Sequence, residues 1–175
     1  MRACLRVIIL VLVLAAAAPA AVFVGAYGGW TMDYYNVSAF EGELAANLLW
    51  EEVGLLLGGG YSRLEGYYHP DYDEYFTSFT IAGDTLFATL GYAYRWEYFT
   101  TLGAVHFGGY WVTPEAAGAA ILAEADYTTV AFSAETLFSF GGPLGFSLRV
   151  TNSYYIGEPW HPSHFSLKGG LVFEF

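Results

Sequence analysis

The 175-residue sequence predicts an all-β protein, a transmembrane antiparallel up-and-down β-barrel of eight strands, and three observations carry that prediction. Hydrophobic residues make up 55% of the chain and charged residues 13%, with a mean hydropathy of +0.39, so there is more apolar surface than a soluble domain of this size buries. After Ala20 no apolar run approaches the ~18 residues of a membrane-spanning helix, because glycine, charged or hydroxyl residues interrupt every stretch. In place of such runs, apolar and polar residues alternate with period two, the repeat of a strand with two unlike faces.

The first segment reads as an export signal. Arg2 and Arg6 form a positive start, residues 7–14 are unbroken aliphatics, and Ala18-Pro19-Ala20 supplies small residues at a cleavage site. The expected organisation is a signal peptide over residues 1–20 and one barrel domain over residues 21–175. An uncleaved anchor helix over residues 7–24 is the alternative, and Pro19 with the alanine run argues against it. The lone cysteine, Cys4, falls in the signal, so the exported part has no disulfide, haem attachment or thiolate metal site, and no cofactor is expected. Four basic and 17 acidic residues follow Ala20, a formal charge of −13 that excludes a nucleic-acid partner.

Strand centres are expected near residues 26, 44, 59, 86, 105, 131, 150 and 169. Strands one and three are ambiguous in parity, since Val, Leu and Gly occur on both faces. Strand two is clear: Phe40, Gly42, Leu44, Ala46, Leu48 and Trp50 alternate with Ala39, Glu41, Glu43, Ala45, Asn47 and Leu49. Strand four, from about Thr77 to Arg95, is long, and its parity slips near Gly83-Asp84, which predicts a bulge. In strand six Val130, Phe132, Ala134, Thr136, Phe138 and Phe140 alternate with Ala131, Ser133, Glu135, Leu137 and Ser139. Strand eight places Phe165, Leu167, Gly169, Leu171, Phe173 and Phe175 on one face. Loops are expected near 32–38, 66–75, 113–119 and 156–163, and tight turns near 50–53, 95–98 and 140–145, the last marked by Gly141-Gly142-Pro143.

Aromatic residues gather at segment ends, as rings with polar edges do at a bilayer's two interfaces. Trp50, Tyr94, Trp96, Tyr98, Phe99, Phe138, Phe140, Phe146, Phe173 and Phe175 fall at the tight-turn end. Trp30, Tyr34, Tyr35, Tyr110, Trp111, Tyr154, Tyr155 and Trp160 fall at the other. With its signal, its alternating strands and its last strand ending Leu171-Val172-Phe173-Glu174-Phe175, the exported part resembles the small outer-membrane β-barrel proteins of Gram-negative bacteria. The resemblance implies residence in the outer membrane and contact with outer-membrane lipid. It also implies that Leu171, Phe173 and Phe175 form the signal read by the outer-membrane assembly machinery. A closed barrel leaves no backbone group unpaired in hydrocarbon, and at ~10 residues per strand the 155 residues after Ala20 fit eight strands, with ten as the fallback. A soluble barrel or sandwich is the rival fold.

Parity directs Glu41, Glu43, Arg95, Glu135, Arg149, Lys168 and Glu174 inward. An eight-stranded barrel is just wide enough for side chains to fill it, so these charges are expected to form a structural network, with Glu135 facing Arg149 across strands six and seven. His69, His106, His161 and His164 read as loop and rim polars. His164 and Ser166 share a strand face with Glu174, as the His and Ser of lipid A-modifying barrels would require, but that carboxylate lies over ~25 Å away along the strand. Glu65, Asp71, Asp73 and Glu74 read as solvated loop acids that could at most hold a divalent ion weakly. The expected protein is therefore a filled barrel with a structural or surface-binding role and no catalytic or metal site. A narrow solute channel and a lipid-modifying enzyme are the alternatives, and the surface ligand is not named by the sequence.

Overall fold

A computed structural model describes residues 21–33, 37–50, 54–68, 79–114, 125–156 and 163–175. Eight strands in chain order close on themselves: β1 (Ala21–Asp33), β2 (Val37–Trp50), β3 (Leu55–Tyr68), β4 (Phe79–Arg95), β5 (Phe99–Pro114), β6 (Ala125–Ser139), β7 (Leu144–Ile156) and β8 (Ser163–Glu174). Every neighbouring pair is antiparallel, β1 with β8 included, so the sheet has no free edge. The expected signal over residues 1–20 lies outside the described residues.

Register defines the barrel's shape. Partners traced from Gly28 through β2 to β6 arrive at Asp126, while the path through β8 and β7 arrives at Thr136, a stagger of ten residues per circuit. With eight strands at ordinary rise and spacing, that stagger tilts the strands by about 40° to the axis.

Two turns need their glycines. Gly54 and Gly141 have φ of 68° and 81°, values that a Cβ disfavours, and they reverse the chain before β3 and between β6 and β7. Gly141 belongs to the turn that Gly141-Gly142-Pro143 predicts. Both strands continue into the expected loop over 32–38, β1 to Asp33 and β2 from Val37.

The predicted bulge is not there. Partners of β4 run without interruption from Ile81 to Arg95 on the β5 side and through Gly83 and Asp84 on the β3 side. The apparent slip in parity has another cause: Asp84 faces outward toward Arg63, and Phe87 faces inward against His106. A charge on the apolar face and a ring on the polar face mimic a frame shift.

Outside, the wall is apolar between two sets of rings. Trp30, Phe40, Trp111, Tyr154 and Phe165 are exposed toward the long-loop end, and Tyr92, Tyr94, Phe138, Phe173 and Phe175 toward the tight-turn end. Tyr110 and Tyr155, expected in the outer belt, instead point into the lumen, where their rings meet at 4.8 Å. Their neighbours Trp111 and Tyr154 take the outward positions, since adjacent residues in a strand face opposite ways. Tyr34, Tyr35 and Trp160 lie outside the described residues.

Inside, an apolar layer closes the tight-turn half. Phe23, Leu49, Leu56, Ala93, Leu102, Leu137 and Val172, one from each strand except β7, are buried against one another. On β7 the place falls to Gly145, where a Cβ would come within 2.8 Å of the Leu137 side chain. Burying large side chains stabilises by ~1.5–3 kcal/mol each, and truncating one leaves a cavity that neighbours fill only in part. Leu49→Ala is expected to cost ~2–5 kcal/mol in urea unfolding of the folded barrel, against under ~1 for the exposed Leu44→Ala.

Candidate functional site

Above that layer the lumen becomes ionic. Five of the seven predicted interior charges meet: Glu41 and Glu43 from β2, Glu135 from β6, Arg149 from β7 and Lys168 from β8, all buried. Arg149 holds its register partner Glu135 through Nε and Nη2, at 2.9 and 2.7 Å to Oε2, and donates through Nη1 to Glu43. Lys168 Nζ sits between Glu43 Oε2 at 2.6 Å and Glu41 Oε1 at 2.8 Å. Shared cations thus link three carboxylates into one chain across the lumen.

Neutral donors complete it. Tyr27 donates to Glu135 Oε1 at 3.0 Å, Ser147 to the same oxygen at 2.5 Å, and Thr31 to Glu41 Oε2 at 3.2 Å. The Tyr27 ring lies 3.9 Å from the Arg149 guanidinium, a cation–π contact. Gly25 and Gly170 permit this placement, because a Cβ at either position would come within 2.5 Å of that ring. Arg95 and Glu174, the other two predicted charges, do not join. They pair at 2.6 Å at the tight-turn mouth, on the far side of the apolar layer, with Arg95 5.8 Å from the Phe23 ring.

His106 corrects the rim assignment. It is buried on β5, bonded through Nδ1 to the Thr89 hydroxyl at 2.9 Å and through Nε2 to the Ser133 hydroxyl at 2.7 Å. Hydroxyls both donate and accept, so both ring nitrogens are satisfied. Parity could have found it: once Phe107 and Trp111 are placed outside, His106 must face in. His164 also faces the lumen and bonds the Tyr155 hydroxyl through Nδ1, while Ser166 Oγ, on the same face of β8, is buried without a partner. His69 and His161 lie outside the described residues.

Glu65 is a strand residue and not a loop acid. It projects from the outer wall of β3 and pairs with Arg63 at 2.7 Å, while Arg63 also reaches Asp84 at 3.5 Å and Tyr61 donates to Asp84. Its expected companions Asp71, Asp73 and Glu74 lie outside the described residues.

Two cavities flank the ionic chain. The larger, about 40 Å³, opens on the long-loop side and is lined by Glu41, Lys168, Ser62, Thr129, Thr151, Ser153, His164 and Tyr155 among others. The smaller, about 10 Å³, lies between the chain and the apolar layer beside Asn47, Thr89 and Ser133. His106 lines both cavities, and its partner on the far ring nitrogen from Ser133 is the Thr89 hydroxyl and not a carboxylate.

No protein-family model matches the sequence, and no characterised protein matches it at the level of sequence. Solved structures do match in shape. Neisserial surface protein A aligns with a TM-score of 0.65 at 11% identity, over 90% of this chain and 98% of its own. The N-terminal β-barrel domain of OprF from Pseudomonas aeruginosa gives 0.60 at 12% identity, over 89% and 97%. The outer membrane enzyme PagL gives 0.54 at 13% identity, over 86% and 98%. At such identities the likeness concerns architecture, and in architecture the chain is a small eight-stranded β-barrel of the outer-membrane type.

Proposed function

We propose that the chain is an integral outer-membrane barrel with a sealed lumen, serving as a structural or surface-binding protein, exported with loss of residues 1–20. The outer wall supports this reading. On β7, outward positions from Leu144 to Ile156 are apolar or aromatic except Asn152, which donates to Tyr154. Those thirteen residues cover about 30 Å along the axis at the strand tilt above, the thickness of a bilayer's hydrocarbon. The lumen supports the absence of transport, because a solute would have to pass both the ionic chain and the dry layer of Phe23, Leu49, Leu56 and their neighbours.

Fractionation with N-terminal sequencing tests the location, and planar-bilayer recording tests the seal. The protein is expected in outer-membrane fractions, starting near Ala21, with a heat-dependent gel shift and conductance at background. Retention in the inner membrane with Met1 intact would overturn the location. Steady ion-selective currents would favour the channel, and a mass shift in lipid A on expression would favour an enzyme.

A further inference from the structure

The ionic chain does not balance. It holds three carboxylates, Glu41, Glu43 and Glu135, against two cations, Arg149 and Lys168, and both cations are used in full between carboxylates. One formal negative charge is left over, and a buried uncompensated charge is costly. His106 bonds two hydroxyls, Thr89 and Ser133, and none of the three carboxylates.

Glu41 ends the chain on the side of the larger cavity, whose wall sets a few hydroxyls among apolar and aromatic side chains such as Leu64, Phe87 and Ala131. Ser62, Thr129, Thr151 and Ser153 line it together with the Glu41 carboxylate. Thr151 adds an independent sign. Its side chain is 6% exposed, it lines this cavity, and its Oγ1 is buried without a hydrogen-bond partner. About 40 Å³ accommodates a small ion with one or two waters and excludes anything larger. Among the described residues no group of three or more His, Cys, Asp or Glu is arranged to hold a metal ion; of the two carboxylates on this wall Glu43 is held by both Arg149 and Lys168, which leaves Glu41 with the hydroxyls as the donor set. Hard oxygens with a single surplus charge suit a monovalent alkali cation better than a divalent or soft metal.

We propose that the long-loop cavity of the lumen is a binding site for one small monovalent cation, Na⁺ or K⁺, held by the Glu41 carboxylate and the Thr151 hydroxyl. The ion neutralises the surplus charge of the chain and enters from the long-loop side, because the apolar layer closes the other. The competing source of positive charge is a proton on His164 or His106, which both stand on the same cavity wall.

The test is the urea midpoint of the protein folded in detergent micelles, measured in NaCl, KCl and N-methyl-glucamine chloride at equal ionic strength. An ion that binds the folded state raises the midpoint as its concentration rises, whereas the organic cation is too large for the cavity. The parent is expected to be more stable in Na⁺ or K⁺ than in the organic salt. Glu41→Gln is expected to abolish that difference, and Thr151→Val to shift it to roughly tenfold higher salt. Rubidium soaked into crystals is expected to give an anomalous peak in the cavity. Equal parent midpoints in all three salts would overturn the proposal, as would a difference that survives both substitutions. Stability that tracks the titration of His164 or His106 with no dependence on the cation would assign the charge to a proton, and also overturn it. Should Glu41→Gln not fold, Thr151→Val and the rubidium peak decide.

Discussion

Arg149→Ala is expected to destabilise the barrel by ~3–5 kcal/mol, the usual cost of removing one partner from a buried ion pair. The side chain is 2% exposed and serves Glu43 and Glu135 together, so its loss leaves two carboxylates facing each other across the lumen with Lys168 alone between the chain's ends. Glu135→Ala removes one of them, and the double substitution is expected to cost less than the sum of the two single ones. Tyr27 sharpens the expectation: it loses the guanidinium under its ring in one variant and its acceptor in the other. Urea unfolding followed by gel mobility measures all three. Additive losses would remove the coupling, and a small effect of Arg149→Ala would mean that lumen water screens the pair.

Deleting Phe175 is expected to have its largest effect in the cell. The residue closes the barrel, its N–H donating to Val22 O at 2.9 Å and its carbonyl accepting from Val22 N at 3.1 Å. Those two bonds contribute ~0.5–1.5 kcal/mol each, a modest loss for a folded protein in micelles. Its ring is 74% exposed, so little packing is lost. If Leu171, Phe173 and Phe175, which all point outward on β8, are what the assembly machinery reads, the truncated chain should instead be strongly depleted from the outer membrane and degraded before insertion. Quantitative blotting of membrane fractions separates the two. Normal outer-membrane levels would leave Phe175 with a structural role only.

The sequence by itself determined the strands and, where the alternation is clean, their two faces. Alternation over Phe40 to Trp50 and over Val130 to Phe138 is enough to assign inside and outside, because a strand's side chains alternate with period two and a one-residue slip would turn every charge toward the apolar face. Hence Glu41, Glu43, Glu135, Arg149 and Lys168 could be placed inside from parity, and Glu135 placed opposite Arg149 from their symmetry about the Gly141-Gly142-Pro143 turn. Height along the axis was not legible in the same way. It depends on the ten-residue stagger, which brings residues from eight strands to one level only after the sheet closes. Tertiary structure therefore decided that Arg95 and Glu174 pair apart from the other charges, and that Phe23, Leu49, Leu56, Leu102, Leu137 and Val172 share one buried layer. It also decided where His106 and Tyr27 act. Their partners, Ser133 and Thr89 for one and Glu135 for the other, come from strands that only barrel closure and register bring within hydrogen-bond reach.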